Sequence, residues 1–182
     1  MSRRYDDVFG FTKAEVQVMA QELGETEVLP VLKLTRDTDE NAFDDLFDYL
    51  FNGKSEDFAY QLQKILQQVV STYDTANKES FYHGFMLGMT ALFLGKDYYV
   101  ESNRESGYGR FDLAIFPQES GKAGVIMEFK VAEKEADLPG KAVEALQQIE
   151  EKGYLTAFRQ RKITEVWKYG IAFCGKKIAV RR

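Results

Sequence analysis

The chain has 182 residues and a formal net charge of −5, so binding of a polyanion would have to rest on a local basic patch. Its hydrophobic fraction of 45% is enough to fill the core of one ordinary domain. A single cysteine, Cys174, excludes an intramolecular disulfide and a cysteine-based zinc cluster, and a single histidine, His83, restricts histidine catalysis to one position. Because no run resembles a signal peptide or reaches the length of a membrane span, we expect a cytoplasmic protein.

The N-terminal part of the chain is predicted to be helical. Thr12 and Glu15 have the spacing of a capping box, and the apolar run that follows them ends at Gly24. After a weakly patterned stretch, apolar spacing predicts three further helices, over 43–51, 58–70 and 77–94. We place a boundary at residue 42, so that residues 1–42 form an N-terminal helical appendage and residues 43–182 form the main domain.

Beyond Gly95 the apolar period changes to that of strands. Short runs of β-branched and aromatic residues predict three successive strands, over 98–100, 109–116 and 124–130. Residues 136–152 return to helical spacing. Two apolar runs, 166–173 and 177–180, then predict a final hairpin. This order of elements indicates an α/β or α+β domain with a mixed sheet.

Charged residues interrupt two of the predicted strands. Glu128 and Lys130 are two residues apart at the end of an apolar strand, so their side chains share one face of the sheet. Asp112 interrupts the neighbouring strand in the same way. Burying such charges is costly unless a partner compensates them. Two acids and a lysine on paired strands are what a carboxylate-held divalent metal site needs, whereas a surface ion pair on an edge strand is the alternative interpretation.

These residues also carry a resemblance to a known family, through residues 79–85, 101–112, 126–130, 145–149 and 169–173. Here the chain resembles the PD-(D/E)XK nuclease superfamily, and more closely the branch that forms the C-terminal domain of AAA-ATPase-like proteins. The resemblance covers roughly residues 43–182. It implies a restriction-endonuclease-like α-β-β-β-α-β core, a mixed sheet flanked by helices, and a metal-dependent phosphodiesterase site.

The resemblance implies roles for five residues that match the family pattern. Glu79 corresponds to the acid of the first helix, and Asp112 to the acid of the second strand. Glu128 and Lys130 correspond to the pair on the third strand, and Gln148 to a helix position that faces the site. Asp112 and Glu128 are then expected to ligate Mg²⁺ or Mn²⁺, with Glu79 holding a ligated water or a second ion. Lys130 would orient the attacking water or stabilise charge in the transition state.

Other polar and aromatic side chains near these segments have two interpretations. Arg104 and Arg110 flank the turn that leads to Asp112, which makes them candidates for contacts with substrate phosphates. His83, one turn after Glu79, is expected to pack or to support the site and not to ligate a metal. The aromatic side chains of Tyr98, Tyr99 and Tyr108 are suited to base stacking, but we expect them to pack on the sheet.

The sequence therefore predicts a divalent-metal-dependent nuclease that acts on DNA or RNA. Two alternatives stay open at this point, a catalytically silent nuclease-fold domain serving an ATPase partner and a small-molecule phosphoesterase with the same metal site. An ATPase would have to be supplied from elsewhere, because Asp48 stands where the first glycine of a P-loop belongs before residues 52–55. Residues 1–42 resemble the segment that links the ATPase domain to the nuclease domain in those AAA-ATPase-like proteins.

Overall fold

A computed structural model describes residues 40–69, 79–93 and 97–182. The helix predicted after Thr12 lies outside the described residues, as does nearly all of the predicted appendage, and the domain boundary at residue 42 stays a prediction. Within these ranges the chain begins with three helices, which we label α1 (Glu40–Phe51), α2 (Ser55–Val69) and α3 (Glu79–Phe93). The chain turns between α1 and α2 at Gly53, whose φ of 67° suits glycine. No helix in the described ranges combines the length and apolarity that crossing a membrane requires.

In the described part of the chain, five strands form one mixed sheet, in which neighbours follow the order of the chain. They are β1 (Tyr98–Ser106), β2 (Gly109–Pro117), β3 (Gly124–Val131), β4 (Val166–Cys174) and β5 (Lys177–Arg181). The first three strands are antiparallel, β4 runs parallel to β3, and β5 returns antiparallel to β4. A parallel pair needs a crossover connection, and this one contains α4 (Leu138–Glu151) and the short α5 (Thr156–Gln160).

The predicted fold class, a mixed sheet flanked by helices with a restriction-endonuclease-like core, is confirmed. Two details differ from the sequence-based expectation. β1 continues to Ser106, because its polar second half is held by pairing with β2 and not by an apolar run. Helix α5 was not predicted, since a helix of so few residues shows no apolar period.

The sheet has an apolar layer on each face. On one face, Leu113, Met127 and Ile171 pack against α1, α2 and α3. On the other face, Ile126 packs with residues of the chain that follows α4, among them Phe158. A hydrogen bond of 2.6 Å from the Tyr169 hydroxyl to the carbonyl of Leu50 joins β4 to α1. The helices α1 and α2 therefore share the main core with the sheet.

Helix α4 lies unusually close to β4. A Cβ atom at Gly170 would be 2.2 Å from the carbonyl oxygen of Ala142 and 2.4 Å from the backbone nitrogen of Leu146. Only glycine leaves room for this approach. The close packing of α4 on the sheet brings Gln148 to the polar end of β3, where it contacts Glu128 and Lys130.

Candidate active site

Asp112 lies at the point where β2 separates from β3. The two strands pair from Ile115 opposite Val125 to Leu113 opposite Met127. At the residue before Leu113, Oδ2 of Asp112 accepts a hydrogen bond from the backbone N–H of Phe129 at 2.7 Å. A carboxylate thus takes the place of the carbonyl that would continue the ladder. This bond fixes the acid between the two strands and keeps the N–H satisfied.

Gln148 connects the two charged residues at the end of β3. Its Oε1 accepts a hydrogen bond from Nζ of Lys130 at 2.7 Å. Its Nε2 donates to Oε1 of Glu128, and also approaches the hydroxyl of Tyr154 at 3.2 Å. Lys130 Nζ is itself 3.6 Å from Glu128 Oε1. The carboxylate, the ammonium and the amide therefore form one connected network across β3 and α4.

Glu128 is the most deeply buried charged side chain of this network. It is 2% exposed, and its Oε2 has no hydrogen-bond partner among the described residues. Burial raises the pKa of Glu128 to about 8, and the negative charge of Asp112 adds to the rise while Lys130 opposes it. A carboxyl in this setting holds its proton at neutral pH until a cation or another donor compensates the charge.

The pKa of Asp112 is also raised, but several effects oppose the rise. Burial raises its pKa, while the N–H of Phe129 and the ring of His83 act in the opposite direction. Glu79, exposed in the first turn of α3, is near enough for its charge to raise the pKa of Asp112 further. The structure thus brings Asp112, Glu128 and Lys130 together, and the charge of Glu79 acts on Asp112 from the first turn of α3.

His83 supports the backbone of β2. Its Nε2 is 3.0 Å from the carbonyl oxygen of Asp112, 2.8 Å from Oγ of Ser102 and 3.2 Å from Nδ2 of Asn103. These contacts join α3 to β1 and β2 beside the acid. The ring nitrogen is directed at the backbone of Asp112 and not at its carboxylate, so His83 holds the strand that carries the acid.

The two arginines that were candidates for phosphate contacts lie outside this network. Arg104 donates from Nη1 to Oε1 of Glu101 at 2.6 Å, on β1. Arg110 has an exposed side chain, and its carbonyl oxygen accepts the hydroxyl of Tyr154 at 2.7 Å. A role for either arginine in phosphate binding stays a prediction.

The three tyrosines named from the sequence have two different environments. Tyr98 stacks on Phe51 with ring centroids 4.5 Å apart, and Tyr99 stacks on Phe116 at 5.1 Å. The expectation that they pack on the sheet is met for this pair. For Tyr108 it is wrong, because the residue lies in the turn after β1 and is 90% exposed.

Tyr154 is a residue of the site that the sequence did not reveal. It is 1% exposed, its hydroxyl donates to the Arg110 carbonyl, and the same oxygen lies within hydrogen-bonding distance of Gln148. It lies in the turn that follows α4, after Lys152 and Gly153, where neither strand nor helix spacing singles it out. A tyrosine hydroxyl can donate and accept at once, so Tyr154 links the side chain of Gln148 to the backbone of β2 at Arg110.

The donor set of the site fits a hard divalent cation. Asp112 and Glu128 supply carboxylate oxygens, and Oε2 of Glu128 is a buried acceptor that no described residue satisfies. In the ranges that the structure describes, no three His, Cys, Asp or Glu side chains form a metal-binding group. An ion here would therefore depend on two carboxylates, a backbone carbonyl and waters, an arrangement that Mg²⁺ accepts because it keeps several waters.

Comparison with protein families agrees with this geometry. A family model of the PD-(D/E)XK nuclease superfamily matches residues 77–182, more than half of the chain. The chain belongs to the PD-(D/E)XK nuclease superfamily. The matched region contains α3, the whole sheet and α4, and with them Glu79, Asp112, Glu128, Lys130 and Gln148. PD-(D/E)XK nucleases generally use divalent metals, which is the class of ion that the donor set fits. A search of curated proteins finds no match to the chain.

Proposed function

We propose that this protein is a divalent-metal-dependent nuclease that hydrolyses phosphodiester bonds of DNA or RNA. The observation that carries the proposal is the network of Glu128, Gln148 and Lys130 beside Asp112. A carboxyl this deeply buried is destabilising in a protein that uses it only for structure, because an apolar residue would fill the space at lower cost. Its retention next to a second acid and a lysine suits a metal site and a phosphoryl group.

Asp112, Glu128 and the carbonyl of Phe129 would hold the ion, and Glu79 would hold a water ligand at the exposed edge. A bound Mg²⁺ or Mn²⁺ supplies Lewis-acid polarisation of the phosphoryl oxygen and lowers the pKa of water. Lys130 contributes a fixed positive charge where negative charge develops on the phosphate in the transition state. Gln148 holds the Lys130 ammonium in place, so less side-chain freedom is lost when the substrate binds.

The finer assignments concern partners and location. The resemblance to the ATPase-associated branch supports an AAA-type ATPase as a partner, which would present the substrate or regulate access to the site. Arg104 and Arg110, on the strands around Asp112, are the side chains proposed to contact substrate phosphates. The single cysteine, Cys174, is compatible with a reducing, cytoplasmic environment.

The deciding experiment measures metal binding and cleavage on the same samples. Mg²⁺ and Mn²⁺ are titrated calorimetrically into wild type and into the double variant Asp112→Asn/Glu128→Gln. Plasmid, single-stranded DNA and RNA are tested for cleavage in parallel. Glu119→Gln is the matched control, because it removes one exposed carboxylate from the β2–β3 turn, away from the site.

We expect wild type and Glu119→Gln to bind metal and to cleave, and the double variant to do neither. Metal binding without cleavage of any nucleic acid would contradict a nuclease that acts alone, and it would favour a small-molecule phosphoesterase or a requirement for the ATPase partner. If wild type binds no metal, the acids are structural. The catalytically silent interaction domain, which the net charge of −5 favours, would then be the better description.

A further inference from the structure

A cavity of about 290 Å³ lies between β1 and α5, on the same face of the sheet as Glu128. Glu101 of β1 lines it and is opposite Ala114 of β2, which is opposite Ile126 of β3. Glu128 follows Ile126 by two residues and therefore projects from the same face. The Cα atoms of Glu101 and Glu128 are separated by two strand spacings across the sheet and by two residues along β3. Together these separations amount to about 12 Å. The cavity is thus a near neighbour of the proposed catalytic site.

The carboxylate of Glu101 is only half used by its partners. Its Oε1 accepts from Arg104 Nη1 at 2.6 Å and from Arg161 Nη2 at 2.7 Å. Its Oε2 is buried and has no hydrogen-bond partner among the described residues, although the side chain is 13% exposed. A buried acceptor without a donor is costly, and native proteins normally supply a donor for it. The two arginines therefore converge on one oxygen of Glu101, and the carboxylate keeps acceptor capacity beyond them.

The two arginines around Glu101 differ in how many contacts hold their side chains. Arg161 is held at three points. Besides the bond from Nη2 to Glu101, Nε donates to the Tyr99 hydroxyl at 2.7 Å and Nη1 donates to the Ala157 carbonyl at 2.9 Å. Arg104 is 62% exposed. Arg161 stays on the same oxygen, so Arg104 can move away without leaving the mostly buried carboxylate unpaired. Its departure opens the carboxylate toward the cavity, while Arg161 keeps that carboxylate in place.

We propose that this cavity binds one nucleobase of the substrate strand, and that the base carries an exocyclic amino group. The proposal rests on the nuclease function proposed above. The amino N–H donates to the Glu101 carboxylate, the pairing by which glutamate reads the amino group of cytosine. Arg104 then exchanges Glu101 for the phosphate next to that base. With a volume of about 290 Å³, the cavity is at the small end of ligand sites, which suits one base and not a base pair.

The rim of the cavity suits a single strand. Tyr108, 90% exposed, follows Gly107, which lines the cavity. The backbone N–H of Tyr108 donates to the carbonyl of Lys152 at 2.8 Å, so the turn is fixed against the end of α4. An exposed aromatic ring on a fixed turn is a stacking platform for the neighbouring base. Glu101 and Glu105 balance the charges of Arg104 and Arg161 in the lining, which disfavours a free phosphate as the main ligand.

The test compares oligo-deoxycytidine with oligo-thymidine of equal length. Both are pyrimidine strands, but only cytosine carries an exocyclic amino group, and thymine presents carbonyl oxygens on both sides of its N3–H. Binding to the full chain is measured by fluorescence anisotropy in EDTA, where metal-dependent cleavage is stopped. We expect about tenfold tighter binding of oligo-deoxycytidine, the effect of one hydrogen bond to a charged group.

Glu101→Gln should abolish this preference, because an amide can accept from cytosine or donate to thymine. Glu119→Gln, which removes the same charge far from the cavity, should keep it. Equal binding of the two strands by wild type overturns the proposal, as does a preference that survives Glu101→Gln, or no binding at all. The wild-type comparison decides the matter even if the Glu101 variant fails to fold. A preference for deoxycytidine without cleavage in Mg²⁺ would leave the base site standing and contradict a nuclease that acts alone.

Discussion

Gln148 of α4 lies between Glu128 and Lys130 of β3, accepting a hydrogen bond from the lysine and donating one to the glutamate. The two charged groups are on one strand and the amide is on a helix that packs against it. Their geometry is therefore set by the docking of α4 on the sheet and not by β3 alone. Any change that moves α4 should disturb the site without touching its charges.

The first prediction concerns the amide itself. Gln148→Ala should lower cleavage about 10- to 100-fold, the usual effect of removing a group that positions a catalytic side chain. Lys130→Met removes the charge directly and should cost about 10²–10³ in kcat. Steady-state kinetics would show the loss in kcat rather than KM. Lys122→Met is the control, because Lys122 pairs with the exposed Asp97 and Glu119, away from α4, and should leave kcat unchanged. Full activity in Gln148→Ala would contradict the positioning role.

The second prediction follows from the raised pKa of Glu128, about 8 in the folded chain against an ordinary 4.5. Between these values the folded protein keeps a proton that the unfolded chain has lost, so stability falls as pH rises, by about 1.4 kcal/mol per pH unit. Below pH 4.5 both states are protonated and Glu128 contributes no pH dependence. Glu128→Gln has no proton to lose and should become more stable than wild type as pH rises through this window. Urea unfolding in EDTA at several pH values measures the difference, and parallel curves would refute it.

The third prediction separates the structural and chemical roles of Asp112. Asp112→Asn keeps an oxygen that can accept the N–H of Phe129, so its free energy of unfolding should stay near that of wild type. Asp112→Ala leaves this N–H without its acceptor and should lose about 1–3 kcal/mol. Both variants should lose metal binding and cleavage. Denaturation in EDTA and calorimetry distinguish the two effects, and equal stability of the two variants would show that the bond does not hold the strands.

The fourth prediction tests the docking of α4. Gly170→Ala places a methyl group against the backbone of Ala142 and Leu146, and should destabilise the protein by about 1–3 kcal/mol. It should also reduce cleavage, because Gln148 moves with α4. Gly140→Ala is the control on α4 itself, where no heavy atom beyond the chain neighbours and the helix's own backbone lies within 4 Å of the added Cβ, and it should stabilise by about 0.5–1 kcal/mol. Thermal unfolding with activity assays checks both, and a neutral Gly170→Ala would disprove the close approach.

Much of the fold follows from local sequence patterns. The helices α1, α2, α3 and α4 and the strands β2 to β5 appear close to their predicted bounds, because apolar period and turn residues act over a few neighbouring positions. The spacing of Glu128 and Lys130 likewise placed both on one face before any tertiary contact was known. Local patterns failed for β1 beyond Val100 and for α5, whose conformations depend on partners far along the chain.

The sequence by itself determined the element order, the charged strand ends and the family pattern. Tertiary structure decided the rest. It formed the hydrogen bond between Asp112 and the N–H of Phe129 and brought the hydroxyl of Tyr154 to Gln148. It also brought Arg161 to Glu101, a residue sixty positions away. It also raised the pKa of Glu128, since burial is a property of the packed chain. These contacts depend on strand register and helix docking, which arise from long-range packing that no short stretch of sequence encodes.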